Sequence, residues 1–221
     1  MLSNIKQQLT TYIANFISPP ACMQCKKLLP TRSIFCELCH ASMLPTVSIQ
    51  LKITPTKSIT VFAISSYQDP LKGLILAKSW SDPLGSTYLG ELIWQMTPLK
   101  HLYFDYLIPI PLHWTRQAWR GFNQAERMAQ VISRNSGKPM AKLIKRSKRT
   151  VFQSAVDKEH RQENVKDAFA LAVDNPAQYA GKHLVLVDDL MTTGATLHQA
   201  ARALLPLKPA SIIVVVACRV I

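Results

Sequence analysis

Two adjacent carboxylates, Asp188 and Asp189, follow the apolar run of residues 184–187. An apolar run of this length between helical patterns is typical of an interior strand of a parallel sheet, where ligands bind beyond the carboxyl ends of the strands. A Thr/Gly turn comes next, and residues 195–205 repeat apolar positions with helical spacing. The stretch therefore predicts a strand, an acidic edge, a loop and a helix, with a ligand bound between Asp188 and Thr196.

The turn after the acids has the chemistry of a phosphate site. Unpaired backbone N–H groups at the start of a helix, and the positive end of its dipole, favour an anion. Threonine hydroxyls add donors, and Gly194 allows a close backbone approach or a positive φ. The residues predicted to bind the phosphate are Met191, Thr192, Thr193, Gly194, Ala195 and Thr196. Because the acids would repel a phosphate, we expect them to bind sugar hydroxyls or Mg²⁺, which indicates a phosphorylated sugar as the ligand.

The sequence VDDLMTTGAT resembles the phosphoribosyl-pyrophosphate (PRPP) signature of type I phosphoribosyltransferases. In that signature an apolar strand, two acids and a Thr/Gly turn bind ribose 5-phosphate. The alternatives are an ordinary buried strand with a solvated acidic end, and a Walker B-like acid pair. The second alternative requires a GxxxxGK[ST] loop, and the sequence contains neither this loop nor a GxGxxG motif.

Four cysteines form two CxxC pairs, Cys22 with Cys25 and Cys36 with Cys39, with ten residues between the pairs. Two such pairs can place four thiolates around one tetrahedral Zn²⁺, and the metal would supply most of the folding energy of so short a module. The alternatives are two disulfides, which a cytoplasmic compartment disfavours, and redox-active pairs, which lack a preceding thioredoxin-like strand. His40 offers another donor, but four cysteines already complete the site. We therefore predict a structural zinc site.

The composition indicates a globular and strongly basic protein. The 221 residues are 48% hydrophobic and carry a net charge of +13, with an isoelectric point near 9.7. This excess charge indicates either a polyanion such as nucleic acid or a phosphate-rich small substrate. Lys26, Lys27 and Arg32 in the cysteine module form either a nucleic-acid or partner contact or a solvated basic face. Residues 1–17 predict an amphipathic helix, and neither a signal peptide nor a membrane span is evident, so we expect a cytoplasmic protein.

The remaining pattern predicts one α/β domain behind the cysteine module. We place the N-terminal helix and zinc module in residues 1–50 and the main domain in residues 51–221, with residues 41–58 as a connection. Cys218 lies in the last apolar strand and is predicted to be a core residue. Strands are predicted at residues 59–67, 105–113, 168–173 and 211–218, and helices at 71–79, 84–96 and around 125–132.

The loop after the strand at residues 105–113 is a predicted pyrophosphate site. Pro109 and Pro111 mark where that strand leaves the sheet, and Arg116 and Arg120 precede a helix. Arginine forks and free amides at a helix start are the donors that pyrophosphate needs. The alternative is a basic surface turn, but the acidic strand end in the same sheet favours pyrophosphate.

Residues 146–166 form a long polar and basic stretch between sheet elements, which is typical of an active-site lid. A lid would close over bound phosphates and exclude water, which protects an activated ribose carbon from hydrolysis. The alternative is an arm that contacts DNA or RNA. In both cases the predicted contact residues are Arg146, Arg149, Gln153, Arg161 and Asn164.

Nearly the whole chain resembles the ComF family of competence-associated proteins. The resemblance rests on four blocks in order: the paired CxxC motifs, IPIPLHWTRQAWRGFNQA, RSKRTVFQSAVDKEHRQENVKDAF and LVDDLMTTGAT. It implies a type I phosphoribosyltransferase-like domain, with a mainly parallel sheet flanked by helices, behind a zinc module. It also implies PRPP and Mg²⁺ as ligands, and a role in handling incoming single-stranded DNA during natural transformation or DNA utilisation, together with other competence or DNA-processing proteins.

The resemblance also assigns roles to residues by their position in the family motifs. Asp188 and Asp189 would hold the ribose hydroxyls, and residues 191–196 would hold the 5-phosphate. Arg116 and Arg120 would hold the pyrophosphate.

Lys78 lies late in a predicted helix, where the family has a lysine that approaches the ligand. Met191, Val156 and Trp80 depart from the residues more usual in the family. The reaction implied is displacement of pyrophosphate from the anomeric carbon of ribose through an oxocarbenium-like state. No residue is an evident general base, so the acceptor is open. We expect a phosphoribosyltransferase; the alternatives are a PRPP-sensing adaptor without turnover and a single-stranded DNA-binding competence factor.

Overall fold

Leucine and β-branched residues form the central strands, because their side chains suit a sheet that is covered on both faces. The computed structural model describes residues 19–31, 33–43, 48–77, 83–112, 121–146 and 168–220. The helices are α1 (Glu37–Ala41), α2 (Leu71–Ala77), α3 (Pro83–Met96), α4 (Gln124–Ser136) and α5 (Ala195–Leu204). The strands are β1 (Ile49–Lys52), β2 (Ser58–Ser66), β3 (Tyr106–Pro109), β4 (Ile144–Arg146), β5 (Phe169–Leu171), β6 (His183–Met191) and β7 (Ser211–Arg219).

Five strands form the central sheet in the order β1-β2-β7-β6-β3. Strands β2, β7, β6 and β3 run parallel to one another, and β1 is an antiparallel edge beside β2. On its outer side, β3 forms a single parallel bridge from Leu107 to Met140. Strands β4 and β5 form a separate antiparallel pair.

The strand order reverses between β3 and β6. After β3 the chain moves outward through α4 to the bridge at Met140, whereas β6 and β7 extend the sheet in the opposite direction. Such a reversal leaves a crevice beyond the carboxyl ends of the two strands, and open α/β sheets bind ligands there. The carboxyl end of β6 carries Asp188 and Asp189.

Helix α4 packs its apolar face against α3, β3 and β6. The contact between α4 and α3 depends on Gly90 in α3. A Cβ at Gly90 would lie 2.9 Å from the backbone oxygen of Met128 and 2.9 Å from the Cβ of Val131, both in α4. Any side chain at residue 90 would therefore push the two helices apart.

The α/β architecture predicted from the sequence, with a mainly parallel sheet flanked by helices, is confirmed. Residues 41–58 are not only a connection, because they contain the edge strand β1. Residues 1–17 and nearly all of the predicted lid lie outside the described residues, and the division of the chain at residues 50 and 51 stays a prediction. In the described part of the chain, no helix combines the length and the apolar character needed to cross a lipid bilayer.

Asp105 joins the amino ends of β3 and β6. Its Oδ2 accepts the backbone N–H of His183 at 2.8 Å, and its Oδ1 accepts the Tyr103 hydroxyl at 3.1 Å. Lys182 Nζ lies 3.8 Å from Oδ1. The hydrogen bond from the His183 N–H lowers the pKa of Asp105 below its ordinary value, against the opposing effect of burial, and Tyr103 and Lys182 lower it further. The ionised carboxylate is therefore the form that the fold stabilises.

We predict that Asp105→Asn lowers the free energy of unfolding by about 1 kcal/mol near neutral pH, because a hydrogen bond to a charged acceptor is replaced by a neutral one. A carboxyl with a lowered pKa stabilises the fold above its unfolded pKa of about 3.9 and loses this effect as the pH falls through the folded value. The difference from the unchanged protein should shrink over that acidic range. Urea unfolding at a series of pH values measures it, with the exposed Asp174→Asn as a charge-matched control.

Candidate functional site

The two predicted acids lie within β6 itself. The pairing of β6 with β7 continues past Val187, with Asp188 opposite Val216 and Met191 opposite Arg219. The prediction that the strand ends before the acids is therefore wrong, because β6 stays paired with β7 as far as Met191. Consecutive residues of a strand point to opposite faces, so the two carboxylates, both half-buried, face different sides of the sheet edge.

The turn between β6 and α5 is held in one conformation by Gly194. Gly194 has φ +78 and is the N-cap residue of α5. Because glycine has no side chain, it makes no side-chain capping hydrogen bond. A Cβ at Gly194 would lie 3.0 Å from the Met191 Cε and 3.2 Å from the Leu51 Cδ1 of β1. The turn is therefore packed against Met191 and Leu51, and within it the Ala195 N–H donates to the Thr193 hydroxyl at 3.4 Å. The amino end of a helix directly after the acids suits a phosphate.

Tyr67, directly after β2, borders the same edge. Its backbone N–H donates to the carbonyl of Arg219 at 2.7 Å. Burial raises the pKa of the Tyr67 hydroxyl, and the charges of Cys218 and Asp189 raise it further, so the hydroxyl stays protonated beside the acid. Tyr67 was not singled out from the sequence, because only the pairing of β2 with β7 brings it near β6.

The predicted pyrophosphate loop has both of its ends fixed beside β6. Pro109 pairs with Val187, and the Ile110 N–H donates to the Val187 carbonyl at 3.0 Å. At the other end, Asn123 donates from Nδ2 to the Ile110 carbonyl at 3.0 Å and accepts the Ala125 N–H at 3.0 Å. Asn123 thus caps α4 and closes the loop. Its spacing from Glu126 matches a capping box, which was the available sequence signal.

Of the remaining predicted phosphate and lid residues, Arg146 is the one that lies in the described part of the chain. Arg146, the last residue of β4, has its guanidinium 5.4 Å from the ring centre of Phe169, its partner on β5. This contact lies within the β4–β5 pair. The residues that lie outside the described part of the chain are Lys78, Arg116, Arg120, Arg149, Gln153, Arg161 and Asn164. Their roles stay predictions.

The four clustered cysteines are positioned to bind one metal ion. Their sulfur atoms all lie within 4.8 Å of one another, and Cys25 Sγ and Cys36 Sγ are 3.7 Å apart. Four thiolates around a tetrahedral Zn²⁺ are separated by about 3.8 Å, as metal–sulfur distances near 2.3 Å require. The first pair lies in a turn closed by a bridge between Ala21 and Leu28, and Cys36 stands at the amino end of α1, which contains Cys39. None of the five cysteines, all of which lie in the described residues, forms a disulfide.

The proton affinities of these thiols differ because their surroundings differ. Burial raises the pKa of Cys22, but hydrogen bonds from the backbone of Cys25, Cys36 and Gln24 outweigh it and lower the pKa to about 6. Burial and the neighbouring sulfurs raise the pKa of Cys39 to about 12. One thiol is thus prepared to ionise, whereas full ionisation of the cluster needs a cation among the sulfurs.

Comparison with known proteins places this geometry in a family. The model of the phosphoribosyl transferase domain matches residues 86–221. Over 210 residues the chain is 30% identical to the DNA utilization protein YhgH of Escherichia coli O6:H1, covering 90% of this chain and 89% of that protein. It is 38% identical over 99 residues to Competence protein F of Haemophilus influenzae, covering 44% and 43% of the two chains. The chain belongs to the ComF family.

A further ComF relative is Competence protein ComFC of Bacillus subtilis, 40% identical over 108 residues. That match covers 49% of this chain and 40% of the relative, so the chain spans less than half of two of these relatives. These matches confirm the ComF family and the type I phosphoribosyltransferase-like fold that were expected from the sequence. The residues that border the candidate site and that were not singled out from the sequence are Leu51, Tyr67 and Asn123.

We predict that Gly194→Ala destabilises this ComF protein by about 1–2 kcal/mol, since it adds a Cβ to a residue at positive φ and into contact with Leu51. Gly137→Ala is the matched control, because Gly137 has a similar φ of +70 with nothing within 4 Å of its added Cβ. The excess loss of Gly194→Ala over Gly137→Ala in urea unfolding measures the crowding. The added Leu51→Ala should remove part of this excess, and equal losses in the two glycine variants would contradict the packing described.

We predict that Cys36→Ser abolishes stoichiometric metal binding, whereas His40→Ala keeps one metal ion per chain. Three sulfurs leave a tetrahedral site incomplete, and His40 is not a member of the sulfur cluster. Bound zinc is measured with a colorimetric chelator after dialysis at several pH values. Retention should fall as the pH is lowered, because protons compete for the thiolates. A full equivalent of zinc in Cys36→Ser would show that this sulfur is not a ligand.

Proposed function

We propose that the edge formed by the carboxyl ends of β3 and β6 binds PRPP together with Mg²⁺. The observation that carries the proposal is the reversal of strand order between β3 and β6, with the acid pair, the amino end of α5 and the start of the arginine loop at the carboxyl ends of these two strands. Asp188 and Asp189 bind the ribose hydroxyls, and the turn of residues 191–196 binds the 5-phosphate. Arg116 and Arg120 bind the pyrophosphate, with Lys78 as an additional contact.

The two carboxylates point to opposite sides of the strand edge. Both would contact the ribose diol, and the same pair would hold Mg²⁺, directly or through water. Magnesium, when bound, supplies positive charge that stabilises the leaving pyrophosphate. The arginine loop adds planar hydrogen-bond donors to the same leaving group. Residues of the predicted lid exclude water from the activated ribose carbon.

The metal of the cysteine cluster is proposed to be a structural Zn²⁺. Four thiolates satisfy all positions of a tetrahedral site and leave none for a substrate, which is the arrangement of structural rather than catalytic zinc. The metal stabilises the short segment around α1, whose helix has no buried residue of its own. Such a thiol site suits a reducing compartment, and we propose that the protein is cytoplasmic.

A role in DNA handling is the second part of the proposal. The relatives carry the names Competence protein F, Competence protein ComFC and DNA utilization protein. The net charge of +13 suits a polyanionic partner. We propose that this protein handles incoming single-stranded DNA in competence or DNA utilisation, in contact with other DNA-processing proteins. The acceptor of the phosphoribosyl group is unassigned, and a PRPP-sensing adaptor without turnover is the alternative form of the same site.

We predict micromolar binding of PRPP with Mg²⁺ to the zinc-loaded protein, about −8 kcal/mol, measured by isothermal titration. The double variant Asp188→Asn, Asp189→Asn should bind at least about tenfold more weakly, because neutral amides lose the charge that holds Mg²⁺. Asp174→Asn, which removes an exposed carboxylate elsewhere, should bind as the unchanged protein does.

Absence of PRPP binding by the intact protein would exclude both the transferase hypothesis and the sensor hypothesis. If PRPP binds, pyrophosphate release with pooled nucleobases and nucleosides as acceptors separates the two. Steady release that the acid double variant lacks supports the transferase. Binding without release supports the sensor.

A further inference from the structure

A second polar cluster lies at the opposite end of the sheet from the proposed PRPP site. It surrounds the first residues of β3 and β6 and is here called the amino-end cluster; its members are Tyr103, Lys138, Lys182, His183 and Lys208. The first residue of β6 is His183 and the last is Met191. At about 3.3 Å per residue, the two ends of β6 are roughly 26 Å apart.

Tyr103 is an exposed aromatic side chain that is nevertheless held in place. It is 68% exposed, which is high for a large hydrophobic residue of this fold. Its hydroxyl donates to Asp105 at 3.1 Å, and its ring meets the ring of His183 edge to face, with centres 5.4 Å apart. The ammonium of Lys138 lies over one face of the ring, 4.9 Å from its centre. An aromatic ring that is held in this way and is still largely exposed to solvent can stack on another planar ring without a large loss of side-chain entropy.

Two lysine ammonium groups lie near this ring. Lys138 contacts it directly, and Lys182 lies 3.8 Å from Asp105, the carboxylate that also holds the Tyr103 hydroxyl. The backbone of Lys208 joins the same region, because the Gly181 N–H donates to the Lys208 carbonyl at 3.0 Å. The Asp105 carboxylate keeps its negative charge, which the Lys182 ammonium offsets at 3.8 Å. A fixed aromatic ring among lysines is the arrangement that binds a base and its flanking phosphates.

We propose that the amino-end cluster binds single-stranded nucleic acid, with a base stacked on Tyr103 and backbone phosphates on Lys138 and Lys182. A duplex offers the same phosphates, but its bases are already stacked inside and cannot reach the ring, so single strands bind more tightly. The inference rests on the proposed role in DNA handling and identifies the surface of the protein that contacts the DNA. It does not depend on the PRPP site, and the distance along β6 lets both ligands bind at once.

The test is fluorescence anisotropy of a labelled oligothymidylate with the zinc-loaded protein over a series of salt concentrations. Tyr103→Ala should weaken binding by about tenfold, whereas Tyr103→Phe, which keeps the ring, should stay within about twofold. The double variant Lys138→Gln, Lys182→Gln should lower the slope of log affinity against log salt by about 1.4, as expected for two lost phosphate contacts on a single strand.

The matched control is the double variant Lys72→Gln, Lys145→Gln. It removes the same charge from exposed lysines of α2 and β4, outside the cluster. Thermal unfolding shows whether each variant folds, and PRPP titration should give the same affinity for Tyr103→Ala as for the unchanged protein. If Tyr103→Ala fails to fold, the lysine variants and Tyr103→Phe still decide the outcome.

The outcomes separate this inference from the proposed function. Loss of affinity in the amino-end variants, with the control unchanged, supports the surface. If the oligonucleotide binds but amino-end and control variants weaken it equally, the surface is wrong and the DNA-handling role stands. If the intact protein binds no oligonucleotide while still binding PRPP, both the surface and the DNA-handling role are overturned and the PRPP site is not.

Discussion

Parallel pairing of β6 with β3 on one side and β7 on the other is the constraint on which the rest of the structure depends. A strand inside a parallel sheet must satisfy its N–H and C=O groups on both sides, and β6 pairs with β7 from His183 to Met191 and with β3 from Leu184 to Val187. This fixes Asp188 and Asp189 at one end of the sheet and His183 at the other. Both proposed ligand sites therefore inherit their geometry from the same hydrogen-bond ladder.

Features that local sequence patterns encode were predictable. The apolar run before Asp188, the helical spacing after Gly194 and the two CxxC pairs each define their own element within a few residues. The length of β6 was not predictable in this way, since adjacent acids usually mark where a buried strand ends. Here the partner strand β7 is apolar to Cys218 and keeps β6 paired past the acids.

Contacts between residues that are distant in the chain could not be predicted from local sequence patterns. Leu51 belongs to a four-residue edge strand and reaches Gly194 only because β1 folds back on β2. Tyr103 and His183 are eighty residues apart in the chain and meet through the pairing of β3 with β6. In contrast, Cys22 is fully buried and shares the apolar core with Phe35 and Met43, so the cysteine module depends on side-chain packing as well as on its metal.

The close approach of α3 and α4 at Gly90 limits which substitutions this protein can accept during evolution. With 2.9 Å between an added Cβ and the backbone of α4, a single substitution at residue 90 cannot be absorbed by a neighbouring rotamer. A lineage can change this position only by widening the helix pair, and that would move Asn123 and the loop that it closes. Position 90, which contacts the facing helix α4, is thus tied to the shape of the crevice that the loop borders.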